Sequence, residues 1–257
     1  MYFRNAIVRT PGKNFADGLT TSGLGAPVYE KALAQHRLYC EALRKCGLQL
    51  IILEPDLRYP DSTFIEDVAV LTQKSAILTN PGADSRKGEV EAIKGTLAAC
   101  FDQVCSINPP GTMDGGDICE AGDHYFIGIS ERTNEDGARQ LAALLAIEGY
   151  TSSFVDIHGV PGILHLKSGI SYLGDNNLVL IDALAGWDAF AGYNIIQVDE
   201  AENYAANCVR INDVVIMPAG FPRLKQSVEQ LGYPVLPLEV SEYQKMDGGL
   251  SCLSLRF

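Results

Sequence analysis

The chain has 257 residues, 47% of them apolar and 20% charged, enough for a large core in one sizeable domain or two small ones. A formal net charge of -12 and a pI of about 4.7 make nucleic acid and anionic membrane surfaces poor partners and would draw in a small cation, although acidic surfaces also serve solubility. No apolar run reaches membrane-spanning length and no signal-peptide pattern opens the chain; the seven cysteines, odd in number and without a C-x-x-C pair, suggest neither a disulfide framework nor a zinc site and fit free thiols in a reducing cytoplasm.

Residues 3–9 predict a strand. Residues 10–27 are rich in Gly, Thr, Ser and Pro and predict a long loop, of a length that often serves as a functional lid. From Val28 to Cys46 apolar side chains return at helical spacing (Ala32, Leu33, His36, Leu38, Tyr39, Leu43), and Gly47 is a natural stop. Residues 48–53 are a nearly continuous apolar strand. A unit then recurs: an acidic or catalytic-type residue, a short strand, a tight turn, a second strand, a helix and a third strand. The first begins at Glu66-Asp67, with strands at 68–71 and 76–79, a helix at 87–99 and a strand at 103–107. The second opens on Asp114-Gly115-Gly116-Asp117, with a strand at 125–128, a helix at 134–147 and a strand at 153–157. The third starts at His165, with a strand at 178–181 and a weak helix at 183–190. The fourth starts at Asn207-Cys208, with strands at 214–217 and 235–238 around a helix at 223–231. The fifth begins at Gly249-Leu250-Ser251-Cys252, where Cys252 reads as part of a short apolar terminal strand. Its missing pieces are the strand, helix and strand at the start of the chain.

Five strand-strand-helix-strand modules recurring every ~40–50 residues mark a ring or array. One module is split between the two ends of the chain, as expected if the N-terminal and C-terminal strands pair to seal a closed ring. The expected fold is therefore α/β with pseudo-fivefold symmetry, residues 1–257 forming one domain; an open mixed α/β sheet is the alternative.

Equivalent positions in such a ring converge on its axis. They hold Glu66 and Asp67, Asp114 and Asp117, His165, Asn207 and Cys208, and Cys252. A thiol nucleophile needs a base and an orienting acid gathered in space, which this convergence supplies. Singly, each residue has a plainer reading: a free cysteine is usually a small buried apolar side chain, a histidine a hydrogen-bonded core group, and Asp-Gly-Gly-Asp a turn. Of the four histidines, His36 falls in a helix, His124 in a hairpin turn and His158 in a loop; only His165 opens a core hairpin. Glu66-Asp67 stands within an apolar run, and buried carboxylates require a partner that a cationic ligand would provide.

The segments Pro60-Asp61-Ser62-Thr63-Phe64-Ile65-Glu66-Asp67, Thr112-Met113-Asp114-Gly115-Gly116-Asp117, Leu164-His165-Leu166-Lys167-Ser168-Gly169, Tyr204-Ala205-Ala206-Asn207-Cys208 and Met246-Asp247-Gly248-Gly249-Leu250-Ser251-Cys252 resemble the motifs of the dimethylarginine dimethylaminohydrolase family, in the guanidine-modifying superfamily. They follow in order along the whole chain, with Asp17-Gly18-Leu19-Thr20 near its start. The resemblance implies a five-bladed α/β propeller, in agreement with the module count. It implies Cys252 as nucleophile, His165 as general acid and base, and Asp114 as the carboxylate holding the histidine or the guanidinium. That position is Glu in some members of the family, so the shorter arm leaves its role open. Glu66 and Asp67 would grip the guanidinium. Asp61 would meet the substrate α-amino group, with backbone at Leu19 and Met246, and Arg86 and Arg132 would bind its carboxylate, a task suited to the arginine fork.

The implied reaction is hydrolysis of methylated arginines to citrulline and an amine through a covalent thiouronium on Cys252, with neither metal nor organic cofactor. The implied partner is a cationic amino acid, in the cytoplasm, with a homodimer left open. Arginine deiminase or another guanidine hydrolase on the same scaffold is the alternative chemistry. A non-catalytic binder would be expected to break the Cys/His pair, and a metallohydrolase using His165, Asp114 and Asp117 lacks any helical H-x-x-x-H spacing.

Overall fold

Residues 2–257 are described by a computed structural model, and they form five three-stranded sheets that stand as blades around a common axis, a closed five-bladed α/β propeller. In chain order the elements begin with β1 (Asn5–Arg9), α1 (Tyr29–Lys45) and β2 (Gln49–Leu53). The next blade is β3 (Ala69–Leu71), β4 (Ala76–Leu78), α2 (Glu91–Cys100) and β5 (Val104–Ser106). It is followed by β6 (Ile118–Ala121), β7 (His124–Ile129), α3 (Glu135–Glu148) and β8 (Thr151–Asp156). Then come β9 (Ile170–Gly174), β10 (Asn177–Ile181), the single turn α4 (Asp182–Ala185) and β11 (Asn194–Val198). The chain ends with β12 (Val209–Ile211), β13 (Val214–Pro218), α5 (Pro222–Gln230), β14 (Val235–Leu238), the short α6 (Ser241–Gln244) and β15 (Leu255–Arg256).

The four blades formed by continuous stretches of chain obey one connection rule. A tight turn joins the first two strands of each, which pair antiparallel, and a helical crossover delivers the third strand parallel to the second. The β9–β10 turn shows the local chemistry: Asp175 and Asn176 both take the left-handed conformation, with φ of 50° and 63°, as a two-residue turn matched to strand twist requires. The blade that begins and ends the chain is assembled from both termini. There β15 pairs antiparallel with β1, Ala6 opposite Arg256 and Ile7 opposite Leu255, while β1 pairs parallel with β2. Arg4 and Asn5 donate backbone bonds to Phe257 O, so the seal runs to the last residue.

The middle strands carry apolar side chains on both faces because each face packs into a different core, Ile77 with Ile118 and Ile127 but Ala76 and Leu78 with Ile93 and Leu97; Ile77, Ile127, Val179 and Ile216 are fully buried. On α1 the buried face holds Ala32, His36, Tyr39 and Leu43, whereas Leu38 is 48% exposed although it shares their periodic pattern. Among the described residues no helix is long and apolar enough to cross a membrane.

Three sequence expectations are corrected. The helix placed at 87–99 begins later, at Glu91, behind a 3-10 turn over Asp84–Glu89, where Tyr59 packs so tightly on Gly88 that a Cβ there would stand 1.8 Å from its hydroxyl. The third blade has a third strand, β11, that the pattern did not reveal, and its helix is reduced to α4 and a 3-10 turn at Asp188–Phe190. Cys252 does not lie in the terminal strand; it occupies a 3-10 turn, Ser251–Leu253, and only Leu255 and Arg256 reach the ladder.

Candidate active site

The turn holding Cys252 is one of five. A 3-10 turn precedes every inner strand: Ile65–Val68 before β3, Gly115–Asp117 before β6, Leu166–Ser168 before β9, Glu200–Ala206 before β12 and Ser251–Leu253 before β15. Around the axis the turns at 65–68 and 251–253 touch, and the contact chain continues through 115–117 and 166–168 to 200–206. This ring of turns seats the residues that the repeat placed at equivalent positions.

On one side of the ring a small pocket, with a cavity of about 30 Å3, is lined by Leu19, Asp61, Asp67, Arg86, Asp114, Arg132, His165, Met246 and Cys252, together with Phe64, Leu164 and residues 247–248. Nine of the ten residues assigned a site role from sequence therefore meet in one place. Glu66 does not line it. Its carboxylate is on the opposite side of the turn ring, bonded to Lys167 Nζ at 2.5 Å, Arg256 at 3.0 Å and Ser251 Oγ at 2.8 Å. There it borders a second, larger cavity of about 270 Å3, so Glu66, Lys167 and Ser251 form the partition between the two.

Cys252 is 8% exposed, and its Sγ accepts a bond from the backbone N–H of Gly249 at 3.4 Å. Close approach explains the Gly-Gly pair before it. A Cβ on Gly248 would stand 2.1 Å from the Phe64 ring, and one on Gly249 would stand 2.4 Å from the Asn207 side chain. Burial, followed by the negative charges of Glu66 and Asp67, pushes the Cys252 thiol up to about 12. At neutral pH Cys252 is a thiol.

His165 is buried with its Nε2 3.0 Å from Asp114 Oδ2. Burial alone would lower its pKa. Asp67, the bond to Asp114 and the charge of Asp117 outweigh burial and raise it to about 9, so the imidazolium persists at neutral pH. Asp114 is held below the usual carboxylate range against the effect of burial, chiefly by His165, and its other oxygen accepts from Gly82 N at 2.9 Å. Polar atoms of Asp67, Asp114 and His165 all lie within 4.8 Å of one another. Asp117 spends its oxygens on Leu166 N, Ser130 Oγ and Thr133 Oγ1 behind them, so the trio of His165, Asp114 and Asp117 does not share a site.

Asp61 accepts both of its bonds from Leu19 N, at 3.0 and 3.2 Å, and burial raises its pKa. The two arginines differ. Arg86 is largely engaged: Nε and Nη2 grip Glu89 at 3.0 and 2.8 Å, Nη1 holds Asp67 at 2.6 Å, and Nη2 also reaches Phe64 O at 3.0 Å. One of its five N–H groups is left. Arg132 is half-buried and its guanidinium makes no ion pair among the described residues. The loop over the pocket is pinned to the segment that leads into Cys252, Thr20 and Ser22 hydroxyls donating to Lys245 O at 2.8 and 2.7 Å and Thr21 N to Asp247.

Sequence reasoning missed Glu89, Lys167, Ser251 and Arg256. Lys167 and Ser251 stood inside quoted motifs, next to His165 and Cys252, but nothing in a linear pattern shows that they serve Glu66. Glu89 carried no signal, because an acidic residue near a helix start is usually solvated.

Three comparisons bear on this site. The family model described as "N,N dimethylarginine dimethylhydrolase, eukaryotic" matches residues 26–249. The N(G),N(G)-dimethylarginine dimethylaminohydrolase of Pseudomonas aeruginosa is 47% identical over 256 residues, covering 99% of this chain and 100% of that protein. A crystal structure of the enzyme from that organism, a cysteine-to-serine mutant complexed with citrulline, superposes with a TM-score of 0.97 at 46% identity over 100% of both chains. A histidine-to-glycine form of a dimethylarginine dimethylaminohydrolase, solved as its adduct with S-methyl-L-thiocitrulline, superposes at 0.96 with 46% identity, covering 99% of this chain and 100% of that one.

Proposed function

Since the chain belongs to the dimethylarginine dimethylaminohydrolase family, we propose that it hydrolyses asymmetric dimethylarginine and monomethylarginine to citrulline and dimethylamine or methylamine, with Cys252 as nucleophile. The observation that carries this reading is the meeting of Cys252, the His165–Asp114 pair and Asp67 in one acid-lined pocket.

The substrate is an amino acid with a cationic side chain. At its outer end Asp61 takes the α-amino group, with the backbone of Leu19 and Met246 alongside, and Arg132 takes the carboxylate. Arg86 adds its one spare N–H and fixes Asp67. At the inner end Asp67 and Asp114 hold the guanidinium between Cys252 and His165. Glu66 serves the same end from behind the turn, through Ser251, without touching substrate.

The order of events follows from charge. As the cation settles beside Asp67 it offsets the negative field that keeps Cys252 protonated, and the thiol proton is lost to solvent. The thiolate attacks the central guanidinium carbon, forming the C–S bond. His165 gives its proton to the substituted nitrogen, the C–N bond breaks and the amine leaves. Neutral His165 then takes a proton from water, the oxygen adds to the thiouronium carbon, and the C–S bond breaks to release citrulline and restore the thiol. Residues 1–257 act in this as one catalytic domain in a reducing cytoplasm.

Supplying asymmetric dimethylarginine, monomethylarginine, arginine and agmatine in parallel, with citrulline, amine and ammonia assayed, tests the reading. Citrulline with dimethylamine from the dimethylated substrate is expected. Ammonia from arginine as the preferred reaction would instead make the protein an arginine deiminase.

A further inference from the structure

Four of the five turns, or the residue just before them, place a side chain in the pocket: Asp67, Asp114, His165 and Cys252. The fourth blade does not. Its turn, Glu200–Ala206, is followed by Asn207, which is 5% exposed and whose side chain does not line the pocket. We infer that Asn207 is a positioning residue, bolting the segment that carries His165 to the segment that carries Cys252.

Every polar group of its amide is used. Nδ2 donates to Lys167 O at 2.9 Å, two residues beyond His165, and to Ser251 Oγ at 3.1 Å, one residue before Cys252. Oδ1 accepts from Ser251 N at 2.9 Å. The amide also packs directly on Gly249, whose N–H points at the Cys252 sulfur. Ser251 Oγ passes the restraint on to Glu66 and lies 4.0 Å from Cys252 Sγ. The clamp thus fixes the nucleophile's turn from two sides and ties it to the acid's turn by a single rigid side chain. Only a group that donates twice and accepts once fits these partners, which an amide does and a carboxylate of the same shape does not.

The inference rests on the proposed hydrolysis, where sulfur and imidazole must face one carbon from fixed positions. A displacement of about 1 Å at such a site costs about 100-fold in rate. The outer end of the substrate is held by Asp61 and Arg132, which Asn207 does not touch, so binding is spared.

The experiment compares the wild type, Asn207→Ala, Asn207→Asp, Ser251→Ala and the double variant Asn207→Ala/Ser251→Ala. It follows kcat and KM on asymmetric dimethylarginine, iodoacetamide labelling of Cys252 and Cys208 by peptide mass spectrometry, and far-UV circular dichroism. For Asn207→Ala the clamp requires kcat to fall by about 30- to 100-fold with KM within about three-fold. The double variant should be no worse than Asn207→Ala alone, since one clamp is being broken twice. Labelling should change at least about five-fold at Cys252 and stay constant at Cys208, a split that general loosening of the fold does not produce. A kcat within about two-fold of wild type, additive losses in the double variant, or both cysteines labelling faster together would overturn it. If Asn207→Ala does not fold, Asn207→Asp, which keeps the bond from Ser251 N, decides by the same readouts. A wild type inactive on every methylarginine sinks the proposed function, and the labelling split then decides the clamp by itself.

Discussion

A cysteine and a histidine serving one reaction often share a single proton, but here each keeps its own. Asp67, Asp114 and Asp117 surround His165 and hold it as a cation, while burial and the charges of Glu66 and Asp67 hold Cys252 as a thiol. Alkylation of the free protein at Cys252 should therefore be slow at pH 7 and climb without a plateau below about pH 10, because only the thiolate reacts. A plateau below about pH 8 would contradict the burial and charge assigned to the sulfur. The histidine has a stability consequence of definite sign. Its folded pKa, about 9, exceeds its ordinary 6.5, so the stabilisation is complete below 6.5 and is lost as pH rises through about 9. Thermal melts should show the wild type losing more Tm between those limits than His165→Gln does. The repeat marked the positions of Cys252, His165 and Asp114 as converging, along with Asp117, Asn207 and Cys208, which do not line the pocket; the motif resemblance singled out the first three. The side taken by Glu66 was not legible: adjacent residues on a 3-10 turn point about 120° apart, and a linear pattern does not say which of Glu66 and Asp67 faces the pocket.

At the scale of elements, the strands and crossovers were legible from runs of Val, Ile and Leu between turn residues, and β14 was predicted residue for residue. The misplaced elements have local causes. In the apolar run from Leu250 to Leu255, Asn207 holds Ser251 N and Arg256 holds Ser251 O, so the chain turns where hydrophobicity alone suggests extension. The loop over the pocket illustrates what composition can and cannot say. Its Gly and Ser content marked a candidate lid, but only the structure shows what it fastens to. The loop borders the pocket through Leu19, so its fastening to Lys245 and Asp247 bears on how readily substrate enters. Thr20→Val with Ser22→Ala removes both hydroxyl bonds to Lys245 O, worth about 1 kcal/mol each at most in this exposed setting. Steady-state kinetics should then show KM raised by about 3- to 30-fold with kcat within about two-fold, the mark of a less populated closed state.

For the molecule as a whole, closing the ring does two things: it removes the free sheet edges at the chain ends, and it brings a C-terminal cysteine to residues from the first half of the chain. Arg256 links both. It sits on the sealing strand, pairs with Glu66 at 3.0 Å and bonds Ser251 O and Ser254 O at 3.0 and 2.9 Å. Arg256→Met leaves Glu66 still paired with Lys167 and bonded by Ser251, so the loss is that of a charged hydrogen bond, about 2 kcal/mol, measurable as a lowered urea midpoint at unchanged slope. The pseudo-fivefold plan was legible from the module count. The division of its axis into two cavities was not, because the partition is built of side chains from three different blades. The central claim is that the assembled ring uses Cys252 covalently. Acid-quenching the wild type during turnover of asymmetric dimethylarginine and digesting it for mass spectrometry should reveal the Cys252 peptide carrying the mass of substrate less dimethylamine. Steady turnover with that peptide unmodified, and undiminished in Cys252→Ser, would contradict it.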